Sequence, residues 1–232
     1  MPNWPEFVCR VEGRAPTTDS GPEHRWKHVV ERTVRSAWSG VRLRERVGVE
    51  IRFDCLTTDI RRVALRNLLK PTIDGLAAVV FEREPSGNQW DFEDWRIFQL
   101  SAVKSVALTP AVLIRMHPLG STPQGRDSRA VFVPGVPRPG ETAGEKEWAA
   151  AIDRHIRGAN WSPIVAPLAI GLRFVSPGHE LNKDIDNLVR VAAAAVERSV
   201  GLSGTQLDLV DASKEPQSEA QPCGLFVRAW SC

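Results

Sequence analysis

The chain is one unit written twice. VEGRAPTTDSGPEHRWKHVVERTVRSAW (11–38) aligns with VPGVPRPGETAGEKEWAAAIDRHIRGANW (133–161), setting Gly13 on Gly135 and Trp26 on Trp148 at a spacing of 122, and Trp38 on Trp161 at 123. VGVEIRFD (47–54) matches PLAIGLRFV (167–175), with Arg52-Phe53 over Arg173-Phe174. ALRNLLKPTIDGL (64–76) matches DIDNLVRVAAAAV (184–196), placing Asn67 on Asn187 and Lys70 on Arg190. EDWRIFQLSAVK (93–104) matches SGTQLDLVDASK (203–214), ending Lys104 on Lys214, and VLIRM (112–116) matches LFVRA (225–229). The offset shrinks because the first copy has a longer loop, EREPSGNQWDF (82–92). A fused pair of like units keeps the isologous contact of a homodimer. The expected fold is therefore α+β, two similar mixed α/β halves forming an intramolecular pseudo-dimer. The units span 1–118 and 130–232, and 119–129, inside the Pro-, Gly- and Ser-rich HPLGSTPQGRDSR, is the linker.

Each copy reads the same way. An extended segment ending in Gly or Pro leads to an amphipathic helix, 21–37 or 141–157, where Trp26, Val29, Val30, Thr33 and Val34 recur at three and four. A buried strand, a loop, a second helix (66–81 or 186–200) and two further strands follow. The 232 residues, 42% apolar, suffice to bury a sizeable core. No apolar run reaches the roughly 20 residues of a membrane span, and MPNWPEFVCR lacks the cationic and apolar regions of a leader, so a cytoplasmic location is expected. The four cysteines show no C-x-x-C pair, which speaks against structural zinc. A net charge of +2 decides nothing about partners.

The most chemically loaded stretch is NKDIDNLVR (182–190). Asp184 and Asp186 at the mouth of a helix could share a divalent ion, while Arg190 or Lys70 could hold an anion or stabilise developing negative charge. Asn187 would orient the loop through its amide. An ordinary helix N-terminus explains the same residues, since Asp and Asn cap free backbone N–H groups and favour the positive end of the helix dipole. Both readings stand on spacing alone.

These motifs resemble the RusA-like Holliday junction resolvases, whose signature runs D-x-D-N-x-x-K-x-x-x-D-G-L, then an acidic pair, then a strand ending in A-x-K. DIDNLVR (184–190), NLLKPTIDGL (67–76), and both EDWRIFQLSAVK and GTQLDLVDASK carry the resemblance. It implies a metal-dependent endodeoxyribonuclease using Mg²⁺ or Mn²⁺, with branched DNA as partner and roles in DNA recombination and repair. Carried over residue by residue, it implies Asp184, Asp186, Arg190, Asp94 and Lys70 as catalytic residues, with Asp184, Asp186 and Asp94 as metal ligands. Arg66, Lys70, Asn67 and Asn187 would contact DNA. Arg42, Arg44 and Arg46 in VRLRERVGVEIR could track phosphates through charge, or form a solvated loop rim.

Neither copy keeps a whole site. The first has Ala64 and Arg66 where the second has Asp184 and Asp186, yet retains Asn67, Lys70, Asp74 and Glu93-Asp94. The second has Ala194 opposite Asp74 and Ser203-Gly204 opposite Glu93-Asp94. A guanidinium at position 66 repels a divalent cation. Three outcomes follow: a nickase with one partial centre, an inactive junction-binding paralogue, or a protein-interaction scaffold. A shared ion requires Asp94 to lie within about 6 Å of Asp184 and Asp186, given ligand bonds of about 2.0–2.6 Å. A fused pseudo-dimer is also expected to be complete as a monomeric chain.

Overall fold

The computed structural model describes residues 6–16, 22–85, 89–119, 130–138, 143–159, 161, 166–202, 205–219 and 221–231. Its elements are β1 (Phe7–Glu12), α1 (Glu23–Ala37), β2 (Val47–Cys55), α2 (Leu65–Val80), β3 (Ile97–Val106) and β4 (Ala111–Pro118). They repeat in order as β5 (Val131–Pro134), α3 (Ala143–Gly158), β6 (Leu168–Ser176), α4 (Ile185–Ser199), β7 (Leu207–Pro216) and β8 (Gly224–Ser231). All eight strands form one mixed sheet in the order β1-β4-β2-β3-β7-β6-β8-β5. The order reads alike from either edge once β1–β4 are exchanged for β5–β8. Its midpoint is the antiparallel β3–β7 pair, where Leu100 faces Ala212 and Ala102 faces Val210. The halves are thus fused through backbone hydrogen bonds as well as side chains. Residues 120–129 of the expected linker lie outside the described residues.

Four helices cover one face in the spatial order α1, α2, α4, α3. Edge strand β1 shows why the other face can stay wet: Phe7, Cys9 and Val11 are buried while Val8, Arg10 and Glu12 are exposed. Ion pairs such as Arg10–Asp54, at 3.2 Å between β1 and β2, decorate the open side. The apolar faces of α2 and α4, with Leu68, Leu69, Leu76, Leu188, Val189 and Val196 all at 2% exposure or less, meet each other and the central strands. Burying each such side chain contributes about 1.5–3 kcal/mol. At Gly75 a Cβ would sit 2.7 Å from Val30 Cβ and 2.8 Å from the Lys27 carbonyl oxygen, so glycine is what lets α1 cross α2 this closely. The α1–α2 contact also carries a hydrogen bond from Trp26 Nε1 to Thr72 Oγ1 at 3.1 Å. In the second half Ala192 stands at the position equivalent to Thr72, and the indole nitrogen of Trp148, the counterpart of Trp26, is buried without a hydrogen-bond partner.

Among the described residues no helix is long and apolar enough to cross a membrane. Cys9, Cys55 and Cys223 are free thiols.

Candidate metal centre

The fold brings the two halves' surviving acids together. Asp184 and Asp186 stand at the N-terminus of α4, and Asp94 opens a single 3-10 turn, Asp94–Arg96, just before β3 of the other half. One carboxylate oxygen from each of the three lies within 4.8 Å of the others. Two oxygens bound to one ion are separated by at most twice the ligand bond, about 4–5 Å. A small inward movement therefore closes the trio around a single cation.

The ordinary capping role does not account for these acids. Asp184 is the N-cap of α4 but makes no side-chain hydrogen bond to a free backbone N–H. Instead it accepts a hydrogen bond from Asn187 Nδ2 at 3.0 Å, which fixes the carboxylate's orientation. Asp186 is 3% exposed, and neither of its carboxylate oxygens has a hydrogen-bond partner. Burying a carboxylate without hydrogen bonds is expensive. Burial, then the nearby Asp184 and Asp74, outweigh Lys70 and push the Asp186 carboxyl up to about 6. Asp94 is raised well above the usual carboxylate range, first by burial and then by Asp184 and Asp186. Glu84, in the loop after α2, is raised by burial, Asp184, Asp91 and Glu93. The pocket carries more negative charge than its own cations neutralise, and one of its buried carboxylates accepts no hydrogen bond. Hard oxygen ligands with surplus negative charge are the donor set that Mg²⁺ and Mn²⁺ prefer.

Two lysines complete the surroundings. Lys70 Nζ lies 2.9 Å from Asp74, 3.7 Å from Asp94 and 3.8 Å from Asp186. Although burial opposes its charge, these three carboxylates hold Lys70 firmly protonated, and its side chain keeps 30% of its surface exposed. Lys214, at the end of β7, donates to the carbonyl oxygens of Trp95, Leu181 (3.2 Å) and Lys183 (2.8 Å). Burial pushes its ammonium down to about 7. The motif reading placed Lys214 only at the end of an A-x-K strand, with no role at the site, and did not single out Glu84. The signal for Lys214 was present, because Lys104 and Lys214 end matching strands in both copies.

Arg190 does not join the centre. Its guanidinium pairs with the partly buried Glu145 of α3 at 3.5 Å, and Lys70 of the other half takes the place beside Asp186 that Arg190 was expected to fill. At the twofold-related position the chemistry is inverted. Arg66, standing where the second copy has Asp186, forms an ion pair with Glu197, which is 2% exposed. Lys104 and Arg61 both pair with Asp208 at 3.1 Å. Residues 203–204, opposite Glu93-Asp94, lie outside the described residues.

Several residues expected to contact DNA make internal contacts, while Arg44 is exposed. Arg42 donates to the carbonyl oxygens of Ala78 and Phe81, covering the C-terminal end of α2. Arg46 stacks over Phe98 at 4.2 Å, and the Arg44 carbonyl accepts from Arg96. Asn67 closes the first turn of α2 through its backbone N–H to Ala64 O, and Asn187 holds Asp184.

No family model matches the chain, and no curated protein matches it. Solved structures that match nearly its whole length include a cyanuric acid hydrolase from A. caulinodans, 11% identical, covering 97% of this chain and 71% of that one at a TM-score of 0.27. Another is a cyanuric acid hydrolase described as evolutionary innovation by structural concatenation, 15% identical, covering 98% of this chain and 69% of that one at a TM-score of 0.26. At these scores the likeness carries neither fold nor activity across. The expected membership of the RusA-like resolvases is corrected: no family model matches the chain, that family's included. Branched-DNA binding, junction resolution and the recombination and repair roles fall with it. The DNA contacts expected of Arg66, Lys70, Asn67, Asn187, Arg42, Arg44 and Arg46 lose the family resemblance on which they rested.

Proposed function

We propose that Asp94, Asp184 and Asp186 bind one divalent cation, Mg²⁺ or Mn²⁺, in a single centre assembled from both halves, and that the protein is a metal-dependent hydrolase. The observation that carries this reading is Asp186, a buried carboxylate neither of whose oxygens accepts a hydrogen bond, with one oxygen within 4.8 Å of an oxygen of each of the two other acids. A bound divalent cation supplies a Lewis acid and a more acidic water. The protein's own residues do the rest. Asp184 and Asp186 come from a helix N-terminus and Asp94 from the turn that leads into a strand, so backbone elements of both halves carry the ligand set. Asn187 fixes Asp184 through its amide. Lys70, kept protonated and part-exposed beside Asp94 and Asp186, can offer an N–H to an oxygen that gains negative charge as the substrate is attacked.

The inverted charges around Arg66 support a single centre per chain, since a guanidinium paired to Glu197 occupies the place where a second ion would need a carboxylate. Titration calorimetry with Mn²⁺ tests the reading. One ion per chain, with binding abolished in Asp186→Asn, and metal-dependent turnover of chromogenic esters are expected. Wild-type protein that binds no divalent ion would overturn it.

A further inference from the structure

Two lysines do the same structural job on opposite sides of the pseudo-twofold axis. Lys104, near the end of β3, donates to the carbonyl oxygens of Ile60 (3.0 Å), Val63 (3.2 Å) and Thr205 (2.9 Å), and its ammonium also pairs with Asp208 at 3.1 Å. Lys214, near the end of β7, donates to Leu181, Lys183 and Trp95. Both are 4% exposed. In each case two acceptors lie in the loop leading to the lysine's own half's α2 or α4. The third lies in the segment that enters the other half's central strand. Each lysine therefore ties one half's helix-entry loop to the other half's strand-entry loop.

The two ties differ in what they flank. Lys183 immediately precedes Asp184, and Trp95 immediately follows Asp94. Val63 instead precedes Ala64, and Thr205 follows Gly204, so the tie made by Lys104 carries no acid at either end. An ammonium has three donors and no acceptor. With all three spent on carbonyls, Lys214 has none left for a substrate, so its influence on chemistry runs through backbone geometry.

We propose that Lys214 is a positioning residue: it clamps the backbone beside Asp94 to the backbone beside Asp184, and thereby sets the gap that the cation spans and the affinity with which it is held. This rests on the metal-binding reading above. The duplication supplies a control, because Lys104 makes the same three-carbonyl tie, with the Asp208 ion pair in addition, at a place away from the three acids. A loss that follows from breaking such a tie in general appears in both variants. A loss that follows from misplacing the ligands appears in one.

The experiment compares full-length wild type, Lys104→Met and Lys214→Met by Mn²⁺ titration calorimetry, together with thermal unfolding in EDTA. Both variants are expected to lose thermal stability. Lys214→Met is expected to weaken Mn²⁺ binding about 10–100-fold, the range for residues that orient metal ligands from outside the coordination sphere, while Lys104→Met leaves it within about twofold. Lys214→Gln keeps two donors and is expected to fall between wild type and Lys214→Met; it replaces the methionine variant if that one does not fold. Unchanged Mn²⁺ affinity in a folded Lys214 variant overturns the proposal and leaves the metal reading standing. Equal weakening in the Lys104 and Lys214 variants also overturns it. No Mn²⁺ binding by wild type overturns the metal reading and this proposal together.

Discussion

Asp186→Asn removes one charge from the most deeply buried part of the acidic cluster while nearly conserving shape. The Asp186 carboxyl is pushed from its usual 3.8 up to about 6, chiefly by burial. At 1.36 kcal/mol per unit, a shift of roughly two units corresponds to ~3 kcal/mol carried by the ionised form. The folded state binds this proton more tightly than the unfolded state. The stability that Asp186 contributes is thus fully present below about pH 4, and is lost as pH rises to about 6. At about pH 8, with EDTA present, the asparagine variant should be the more stable protein by up to ~3 kcal/mol, less whatever its unpartnered amide costs. For a chain of this size each kcal/mol is worth about 2–4 °C in Tm. Near pH 4 the advantage should vanish. Mg²⁺ should raise the Tm of wild type at about pH 8 and leave the variant unmoved. Thermal unfolding by circular dichroism at the two pH values, with and without Mg²⁺, reads all of this. A variant less stable than wild type at about pH 8 in EDTA, together with a wild type indifferent to Mg²⁺, would refute the reasoning and make Asp186 a plain counter-ion for Lys70.

Other changes follow from the same contacts. Lys70→Gln should lower the Tm of the metal-free protein, because Asp74, Asp94 and Asp186 lose their shared cation, and saturating Mg²⁺ should recover part of the loss. Arg66→Ala should cost about 3–5 kcal/mol by stranding the buried Glu197, while the double variant with Glu197→Ala should regain most of it, as chemical denaturation would show. Trp26→Phe should cost about 1 kcal/mol more than Trp148→Phe, since Trp26 loses its bond to Thr72 and Trp148 has none to lose. Gly75→Ala should destabilise by about 1–3 kcal/mol through its clash with Val30 and the Lys27 carbonyl, measured by urea unfolding.

The repeat made the architecture readable. Once Trp26 was set on Trp148 and Arg52-Phe53 on Arg173-Phe174, the element order of one half became the order of both, and the helices fall within about two residues of the expected limits. The single continuous sheet was less accessible, because nothing local in LSAVK or LVDAS says that β3 pairs with β7 rather than standing at an edge. Asp94, Asp184 and Asp186 were visible as separate candidates. Their meeting depends on pairing across the axis, which residues 90 positions apart do not encode locally. The misreading has a physical origin as well. A-x-K at a strand end, which resembles a family mark, is here a lysine collecting three carbonyl oxygens that must be satisfied in any such crossing of loops. Arg42 belonged to a basic-looking run and proved to cover a helix end. Short polar motifs at helix entrances recur because backbone hydrogen bonding demands them, so they carry less lineage than their spacing suggests.

The claim on which the account depends is that one cation site draws ligands from both halves. Counting bound Mn²⁺ per chain by electron paramagnetic resonance, in wild type, Asp94→Asn and Asp184→Asn, tests it directly. The account predicts one ion in wild type, and comparable loss of affinity whether the missing ligand comes from the first half or the second. Full retention of Mn²⁺ in Asp94→Asn, or two ions in wild type, would contradict it.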